Sequence, residues 1–343
     1  MNIQDIKFDF DDITIVPEIQ SDIRHRSEVN PFIDIHTDTY LPIMTAPMDT
    51  VVDWNNHKIF QRNKIIPALP RHISLITSDK ENLWYSISLE KAKIIADLKL
   101  KYSTSQCFII DIAQGHLKEL YDVVKKLRED QPYVNIIVGN IANPKTYQLF
   151  AELGVYGVRC GIGGGQSCTS SANLGVHYPM GSLIQECYEI KKAGGYSTKI
   201  IADGGMRKYS DIIKSLALGA DLVMVGSLFN KALESCTTTF LWKKIGVYGY
   251  FEQWLYNHKF PLYKKFRGMS TKEVQRHWGK EKLTTAEGIV RWNTVQYTLP
   301  KWVDNFESYL RSAMSYTGSH NLEEFKECGK ILITENAYRR FNK

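Results

Sequence analysis

The stretch VYGVRCGIGGGQSCTSS, residues 155–171, joins an apolar run to a glycine-rich loop that contains a cysteine, Cys168. The run from Val155 to Cys160 predicts a short buried strand. Glycines allow the main chain to approach a ligand closely and to adopt positive φ. A thiol beside such a loop is a candidate nucleophile if its pKa is lowered. A flexible turn with an incidental cysteine is the alternative for the loop alone, and the rest of the chain distinguishes the two.

Eight short apolar runs recur along the chain and predict strands. They are Leu41–Thr45, Lys64–Leu69, Trp84–Leu89, Cys107–Ile112, Val134–Val138, Val155–Cys160, Lys199–Ala202 and Leu222–Val225. Helix-like segments lie between most of them, for example Leu117–Arg128, Pro144–Leu153, Ser182–Ala193 and Ser210–Leu218. This alternation predicts an α/β fold, a (β/α)8 TIM barrel with crossover helices. A doubly wound sheet is the alternative, but its phosphate loop normally follows the first strand, whereas here the glycine-rich loops follow the last three.

The barrel is expected to form a single domain over residues 1–343. Within it, residues 1–35 are a leader that covers a barrel end, 230–265 an insertion, 266–298 a flap region and 299–343 a C-terminal segment. The insertion is rich in aromatic residues, which we expect to pack against the barrel. A lid or a subunit contact is the alternative for this segment.

Composition places the chain among soluble globular proteins, with 43% apolar and 23% charged residues. No run approaches the roughly 20 apolar residues that span a bilayer, and the polar, acidic N-terminus is unlike a secretory signal. Six cysteines without a CxxC pair argue against zinc and against a disulfide framework. We therefore expect a cytoplasmic protein with free thiols that binds neither membrane nor nucleic acid, since its net charge of +6 is spread along the chain.

Polar and glycine residues follow the predicted strands directly. They are Arg71-His72, Asp111, Asn140, Gly161–Cys168, Asp203-Gly204-Gly205 and Gly226-Ser227. Because the carboxyl ends of all barrel strands meet at one rim, these residues are predicted to line one pocket. Each alone has a structural explanation, such as a helix N-cap for Asp203 or a turn for Asn140.

Ten segments resemble the IMP dehydrogenase and GMP reductase family of purine-nucleotide barrels, in family order. They are FDDITIVP (10–17), LPIMTAPMDTV (41–51), IDIAQGH (110–116), GN (139–140), GIGGGQSCTSS (161–171), IADGGMRKYSDI (201–212), GADLVMVGSLF (219–229), FRGMS (266–270), AEG (286–288) and LRSAMSYTGSHNLEEF (310–325). The resemblance implies a purine ribonucleotide, GMP or IMP, on the barrel rim and a nicotinamide cofactor against its base. It also implies a homotetramer.

The resemblance also assigns roles to individual residues. Cys168 matches the nucleophile that attacks C2 of the purine, and Glu287 with Ser170 matches the proton relay. The implied nucleotide ligands are Gln166, Asp203, Gly205, Gly226, Ser227, Gly268 and Met269. The implied cofactor-facing residues are His72, Asp111 and Asn140. A monovalent cation such as K⁺ would lie at the main chain of Gly161, Gly163 and Cys168, and no other metal is expected.

Asp203 matches the ligand of the ribose hydroxyls, which favours a ribonucleotide because a lost 2′-hydroxyl would leave part of the carboxylate unpaired. Dehydrogenases of the family usually carry a regulatory insertion after the second strand, whereas here Arg71 to Trp84 leads straight to the third. The flap between Met269 and Glu287 is also short, as in the reductases. We therefore predict a GMP reductase that uses NADPH, with NADH or NAD as alternatives. An IMP dehydrogenase, a catalytically weak nucleotide-binding homologue and a flavin-dependent barrel remain the other interpretations.

Overall fold

The computed structural model describes residues 6–35, 37–71, 73, 83–97, 106–165, 170–268 and 289–341. The strands are β1 (Ile13–Ile15), β2 (Ile33–Ile35), β3 (Asp38–Tyr40), β4 (Ile43–Thr45), β5 (Ala68–Leu69), β6 (Trp84–Ile87), β7 (Cys107–Asp111), β8 (Asn135–Ile141), β9 (Gly157–Cys160), β10 (Lys199–Asp203), β11 (Leu222–Val225), β12 (Thr239–Leu241), β13 (Ile245–Val247), β14 (Leu262–Arg267), β15 (Val290–Thr294) and β16 (Lys330–Leu332). The α-helices are α1 (His57–Arg62), α2 (Leu89–Asp97), α3 (Lys118–Asp130), α4 (Pro144–Glu152), α5 (Ser170–Leu174), α6 (Met180–Gly194), α7 (Tyr209–Ala217), α8 (Ser227–Asn230), α9 (Gly249–Asn257), α10 (Leu299–Tyr316), α11 (Leu322–Lys326) and α12 (Glu335–Phe341). Among these described helices, none combines the length and the apolar character that crossing a bilayer requires.

Eight parallel strands form the central sheet in the order β4-β11-β10-β9-β8-β7-β6-β5. A parallel bridge between Met44 and Ile66 joins β4 to the chain just before β5 and brings the two edges of the sheet together. Helices surround this sheet and bury their apolar sides against it. The predicted (β/α)8 TIM barrel is confirmed, and the doubly wound alternative is wrong.

The barrel strands are buried on both faces, which explains why they read as continuous apolar runs. All five residues of β7, CFIID, are buried. One face of the strands fills the barrel interior with side chains that include Met44, Ile109 and Ile201. The other face packs against helices such as α3, which buries Leu120 and Val124 at helical spacing and exposes its lysines.

A β-hairpin in the N-terminal part of the chain covers the amino end of the barrel. Strands β2 and β3 pair antiparallel, and Ile35 and Tyr40 join the interior cluster of the barrel. Ile35 also lines a small cavity with Lys199 and Leu222, the first residues of β10 and β11. The loops at the carboxyl ends of the strands therefore lie at the opposite end of the barrel from this hairpin.

The aromatic insertion forms a small unit together with β15 of the flap region, and the expectation that its aromatic residues pack on the barrel is wrong. Strands β13, β12, β14 and β15 make an antiparallel sheet in that order. Its core consists mainly of aliphatic residues: Leu233, Leu241, Val247, Leu255, Leu262 and Val295. Because these residues supply the core, most of the aromatic side chains point outward, and Tyr250 is 99% exposed while Trp254 is 48% exposed.

Candidate active site

A buried guanidinium lies between two carboxylates at the carboxyl end of the barrel. Arg159 in β9 places Nη1 2.6 Å from Oδ1 of Asp111, at the end of β7. Its Nη2 lies 2.7 Å from Oδ2 of Asp203, at the end of β10. The side chains of Arg159, Asp111 and Asp203 are 7%, 12% and 14% exposed. Each of the two carboxylates thus has the guanidinium as a positive partner, and charges are tolerated in a protein interior when they are paired in this way.

A glycine in the neighbouring strand makes room for this guanidinium. Gly139 of β8 lies opposite Arg159 in the sheet register. A Cβ at position 139 would come within 2.5 Å of the Cβ of Arg159, and Gly139 has φ of +152°. Replacement of this glycine would therefore displace the arginine or the strand that carries it.

Asn140 is turned into the same cluster by an irregularity in the sheet. The pairing of β8 with β9 shifts between Gly139 and Ile141, so that Asn140 is the extra residue, and such bulges re-aim a side chain. Its Nδ2 donates to Oδ2 of Asp203 at 2.7 Å and to the main-chain oxygen of Gly161 at 2.8 Å. Both amide hydrogens of Asn140 are thus used within the protein, and its orientation is fixed.

The two oxygens of Asp203 have different surroundings. Oδ2 accepts from Nη2 and Nε of Arg159, at 2.7 and 3.2 Å, and from Nδ2 of Asn140. Among the described residues, none donates a hydrogen bond to Oδ1. One oxygen therefore anchors the carboxylate, and the other remains available to a ligand.

A second arginine completes the cluster on the far side of Asp111. Nε of Arg71, just after β5, donates to Oδ2 of Asp111 at 2.9 Å, and its Nη2 donates to the main-chain oxygen of Asp111. Burial alone would raise the pKa of the Asp111 carboxyl, but Arg71 and Arg159 outweigh burial and hold that pKa below its ordinary value. Burial alone would lower the pKa of the Arg159 guanidinium, but Asp203 and Asp111 outweigh burial and hold that pKa above its ordinary value. The guanidinium therefore stays charged. Below, the Arg159 cluster means Arg71, Asp111, Asn140, Arg159 and Asp203.

The glycine-rich loops after β9 and β10 lie against each other beside this cluster. A Cβ at Gly161 would come within 2.2 Å of the main-chain oxygen of Asp203, and Gly161 has φ of +135°. A side chain at Gly164 would come within 3.3 Å of the peptide joining Gly204 and Gly205. The predicted proximity of these two loops is thus present, and it depends on residues without side chains.

Ser227, Gly226 and Gly268 lie at the next part of the rim. Ser227 is buried and begins α8, with Gly226 as the N-cap of that helix. Gly268 follows β14, which is tied to the barrel by the ion pair between Arg267 and Asp49, with 2.6 Å between Nη2 and Oδ2. First-turn N–H groups of a helix have no intrahelical acceptor and favour anions, which fits the expected phosphate contact.

The described residues do not include every member of the expected site. His72, Gln166, Cys168, Met269 and Glu287 lie outside them. Ser170 is the first residue of α5, and its role in a proton relay stays a prediction. Within the described parts, Arg159 joins Asp111 to Asp203, and Asn140 contacts Asp203 directly. Gly226, Ser227 and Gly268 belong to a neighbouring part of the rim.

Arg159 has no role in the sequence-based interpretation, and Arg71 was noted there only as a polar residue after a strand. The available signal was a charged residue inside an apolar run, Val155 to Cys160. An arginine is almost never buried without a partner, so its position in a predicted barrel strand already called for carboxylates at the same level of the barrel.

The cluster leaves one amide oxygen that a nicotinamide cofactor could use, while both carboxylate oxygens of Asp111 already accept from arginines. Asn140 donates both N–H groups within the protein, which leaves its carbonyl oxygen as an acceptor for an amide or a sugar hydroxyl. For the expected K⁺, the main-chain oxygens of Gly161 and Gly163 already accept from Asn140 and Ser171. Within the described ranges, no group of three or more His, Cys, Asp or Glu side chains could hold a metal ion.

Comparison with known proteins shows which family this chain resembles over most of its length. The chain is 32% identical over 240 residues to the inosine-5'-monophosphate dehydrogenase of Aquifex aeolicus, a match that covers 67% of this chain and 45% of that protein. It is 25% identical over 342 residues to the GMP reductase of Helicobacter pylori, covering 96% of this chain and 98% of that protein. The GMP reductase of Oceanobacillus iheyensis is 28% identical over 344 residues, with 96% and 97% covered. This chain thus spans about half of the dehydrogenase.

The family model described as IMP dehydrogenase / GMP reductase domain matches residues 89–340. That range covers more than half of the chain and includes most of the barrel strands. This protein belongs to the IMP dehydrogenase / GMP reductase family.

Proposed function

We propose that this protein is a GMP reductase, which converts GMP to IMP and ammonia with NADPH. The observation that carries the proposal is the correspondence over almost the full length of two GMP reductases, 98% and 97% of their chains. The barrel also runs from β5 at Leu69 to β6 at Trp84 through residues 70–83, which is too short a connection for the regulatory domains that dehydrogenases of this family usually insert.

The nucleotide would bind across the rim, with its ribose at Asp203. Oδ1 of that carboxylate, to which no described residue donates, is an acceptor for a ribose hydroxyl, and Arg159 with Asn140 holds the carboxylate in position. Gln166, Gly205, Gly226 and Ser227 would bind the phosphate. Gly268 and Met269 would contact the purine base.

The chemistry begins at the sulfur of Cys168 in this proposal. Its thiolate adds to C2 of GMP, the C2–N bond to the amino group breaks, and ammonia leaves with a proton delivered by Glu287 through the hydroxyl of Ser170. A purine thioimidate on Cys168 results. Asp111, Asn140 and His72 would hold the reduced nicotinamide, which supplies a hydride to C2 when bound. Loss of the sulfur then releases IMP and restores Cys168.

The Arg159 cluster would position both halves of this site. Arg159 contacts the carboxylate assigned to the nucleotide and the one assigned to the cofactor, so each is held in place before either ligand arrives. Preorganised charged groups of this kind avoid the cost of reorganisation during the reaction. A cytoplasmic homotetramer, with a monovalent cation such as K⁺ as an optional ligand, is part of the same proposal.

An IMP dehydrogenase is the second candidate, because the match with the Aquifex dehydrogenase has the higher identity, 32% against 25% and 28%. Two assays separate the candidates: GMP with NADPH, and IMP with NAD, both followed by the absorbance of the reduced nicotinamide. A decrease only in the first mixture supports the reductase, and an increase only in the second refutes it. Cys168→Ala is expected to abolish turnover and to retain GMP binding; unchanged turnover would remove Cys168 from the mechanism.

A further inference from the structure

We infer that the outer end of the aromatic insertion binds the surface of a bilayer that contains anionic phospholipids. The surface concerned is formed by exposed side chains of the β12–β13 turn, of α9 and of the segment after α9. We call it the distal surface, and its members are Trp242, Lys243, Lys244, Ile245, Tyr250, Phe251, Trp254, Lys259 and Phe260. The contact is peripheral, with the protein lying on the bilayer, and it does not depend on which reaction occurs at the barrel rim.

The residues of the distal surface adjoin one another. In α9, the rings of Phe251 and Trp254 lie with their centroids 6.1 Å apart. The ring of Phe260, beyond the helix, lies 5.9 Å from the same indole. The main-chain N–H of Trp242 donates to the oxygen of Pro261 at 3.4 Å. This hydrogen bond brings the β12–β13 turn beside the aromatic side chains that follow from α9.

The apolar part of this surface is exposed over several neighbouring side chains. Helix α9 turns Leu255 into the core of the unit. Its outer side leaves Tyr250, Phe251 and Trp254 99%, 55% and 48% exposed, and Trp242 in the neighbouring turn is 55% exposed. Single exposed apolar residues are ordinary, but a contiguous group of them marks a surface that contacts another body.

The main chain adopts unfavourable conformations where it presents this surface. Trp242, Lys243 and Lys259 have φ of +52°, +60° and +59°. Glycine or asparagine is usual in this left-handed region, and a bulky residue there is an outlier. In the described parts of the chain, the other residue of this kind that is not glycine is Lys64. Such strain gathers where the side chain serves a function, which indicates a requirement for a tryptophan and two lysines at these turns.

The charge of the distal surface selects the kind of partner. Residues 240–261 are all described, and their exposed charged side chains are three lysines, Lys243, Lys244 and Lys259. The one carboxylate of this segment, Glu252, is only partly exposed and accepts from the hydroxyl of Thr239. A twofold contact with a second copy of this chain would bring lysines towards lysines. An anionic surface attracts all three.

The residue types favour a lipid surface over a nucleic acid. Trp and Tyr are enriched at bilayer interfaces, apolar side chains enter the acyl boundary, and lysines extend their charged ends to the headgroups. Stacking of nucleobases needs open ring faces. The indole of Trp254 already has the imidazole of His258 at 4.2 Å and lies within 8° of parallel to the ring of Phe251. The even spread of charge along the sequence indicated no membrane partner, but the fold gathers these lysines and aromatic residues at one place.

The distal surface is remote from the candidate active site. Strand β14 runs from Leu262, paired with Leu241 beside the β12–β13 turn, to Arg267, next to Gly268 at the rim. At about 3.3 Å per residue, the strand separates its two ends by roughly 17 Å. Substitutions at the distal surface should therefore leave turnover at the rim unchanged.

The test is cosedimentation of the full chain with vesicles of phosphatidylcholine, alone or with about 30% phosphatidylserine. At about 0.15 M salt we expect partition onto the anionic vesicles to be at least about 10-fold stronger, and to weaken at about 1 M salt. Equal partition onto both kinds of vesicle, or onto neither, would overturn the inference. Binding of a single-stranded oligouridylate, or self-association through this surface, without binding to vesicles would overturn it as well.

Two pairs of lysine substitutions test the role of charge. Lys243→Gln/Lys244→Gln should weaken partition onto the anionic vesicles by at least about 5-fold, because each lysine near the surface contributes to binding. Lys118→Gln/Lys125→Gln removes the same charge from the exposed side of α3 and is the matched control, with partition expected to stay as in wild type. Equal effects of the two pairs would overturn the assignment to the distal surface.

A third substitution tests the aromatic part. Trp254→Ser should weaken partition by at least about 5-fold, because the indole no longer enters the interface. Tyr133→Ser, at a position 73% exposed outside the distal surface, should leave partition unchanged. Circular dichroism checks that each variant is folded, and turnover of GMP with NADPH should match wild type in all of them. Wild-type partition onto a folded Trp254→Ser protein would refute the aromatic contribution.

Discussion

Removal of the charge of Arg159 should strongly destabilise the barrel. Arg159→Met keeps a long side chain but leaves Asp203 with Asn140 as its described partner and Asp111 with Arg71. Arg159, Asp111 and Asp203 are 7%, 12% and 14% exposed, so water offers little compensation. Breaking a buried pair by removal of one partner costs about 3–5 kcal/mol. We expect the free energy of unfolding to fall by this amount at pH 7, measured by urea denaturation.

The pH dependence of this loss gives a second measurement. The folded pKa of Asp111 lies below its ordinary value because of Arg71 and Arg159, so Asp111 contributes stability above the unfolded pKa of about 3.9. That contribution is lost as the pH falls through the folded pKa. In Arg159→Met the carboxyl loses one of its two cations, its pKa rises, and less stability depends on its ionisation. The difference in unfolding free energy between wild type and variant should therefore persist from pH 7 to about pH 4 and shrink as the pH falls further.

A matched substitution on the surface serves as the control. Arg207 pairs with Asp11 at 2.7 Å, but its side chain is 54% exposed, and exposed pairs contribute about 0–1 kcal/mol. Arg207→Met should therefore lose no more than about 1 kcal/mol. The double variant Arg159→Met/Asp203→Asn should recover part of the loss by removal of one uncompensated charge. Equal losses in the two single variants, or a loss in Arg159→Met that does not change with pH, would refute the reasoning.

Three further predictions concern other parts of the molecule. Gly161→Ala should lower turnover and also lower the free energy of unfolding by more than about 2 kcal/mol, because its Cβ would lie 2.2 Å from the main-chain oxygen of Asp203. Gly175→Ala is the control and should lose less stability, because no atom lies within 4 Å of the new Cβ. Equal losses of stability in the two variants would contradict the steric argument. Burial lowers the pKa of Lys264 to about 8. Wild type should therefore gain stability relative to Lys264→Met as the pH rises from about 8 to about 10, by up to about 3 kcal/mol. A difference in urea midpoint between the two proteins that does not change with pH would refute this. Asp221→Asn should cost about 3–5 kcal/mol in urea unfolding, because the buried Lys326 and the partly buried Lys191 lie 2.7 and 2.6 Å from this carboxylate. A loss below about 1 kcal/mol would show that other groups compensate the two lysines.

The barrel was predictable because its signal is local. A strand covered on both faces must be apolar along its whole length, and the predicted strand Cys107–Ile112 differs from β7 by one residue. Helix α3 likewise begins within one residue of the predicted start at Leu117, since its apolar side repeats at helical spacing. Closure into a barrel followed from the number of strands.

The aromatic insertion shows where the same reasoning failed. Aromatic residues are usually buried, and nothing in the local sequence shows that aliphatic residues of two distant segments, such as Leu233 and Leu262, fill the core of this unit first. Helix α9 then turns Leu255 inward and leaves Tyr250 and Trp254 exposed. The packing competition between residues far apart in the chain decided the outcome.

The sequence alone determined the order of the strands, the residue types at their carboxyl ends and membership of a family. The tertiary structure decided how those residues pair: Arg159 reaches Asp111 and Asp203 from a strand between theirs, and Asn140 is turned towards Asp203 by a shift in register. These contacts join residues 44 to 63 positions apart in the chain. Hydrogen bonds at such separation depend on strand order, register and barrel curvature together, and that is why Oδ2 of Asp203 receives donors from two other strands.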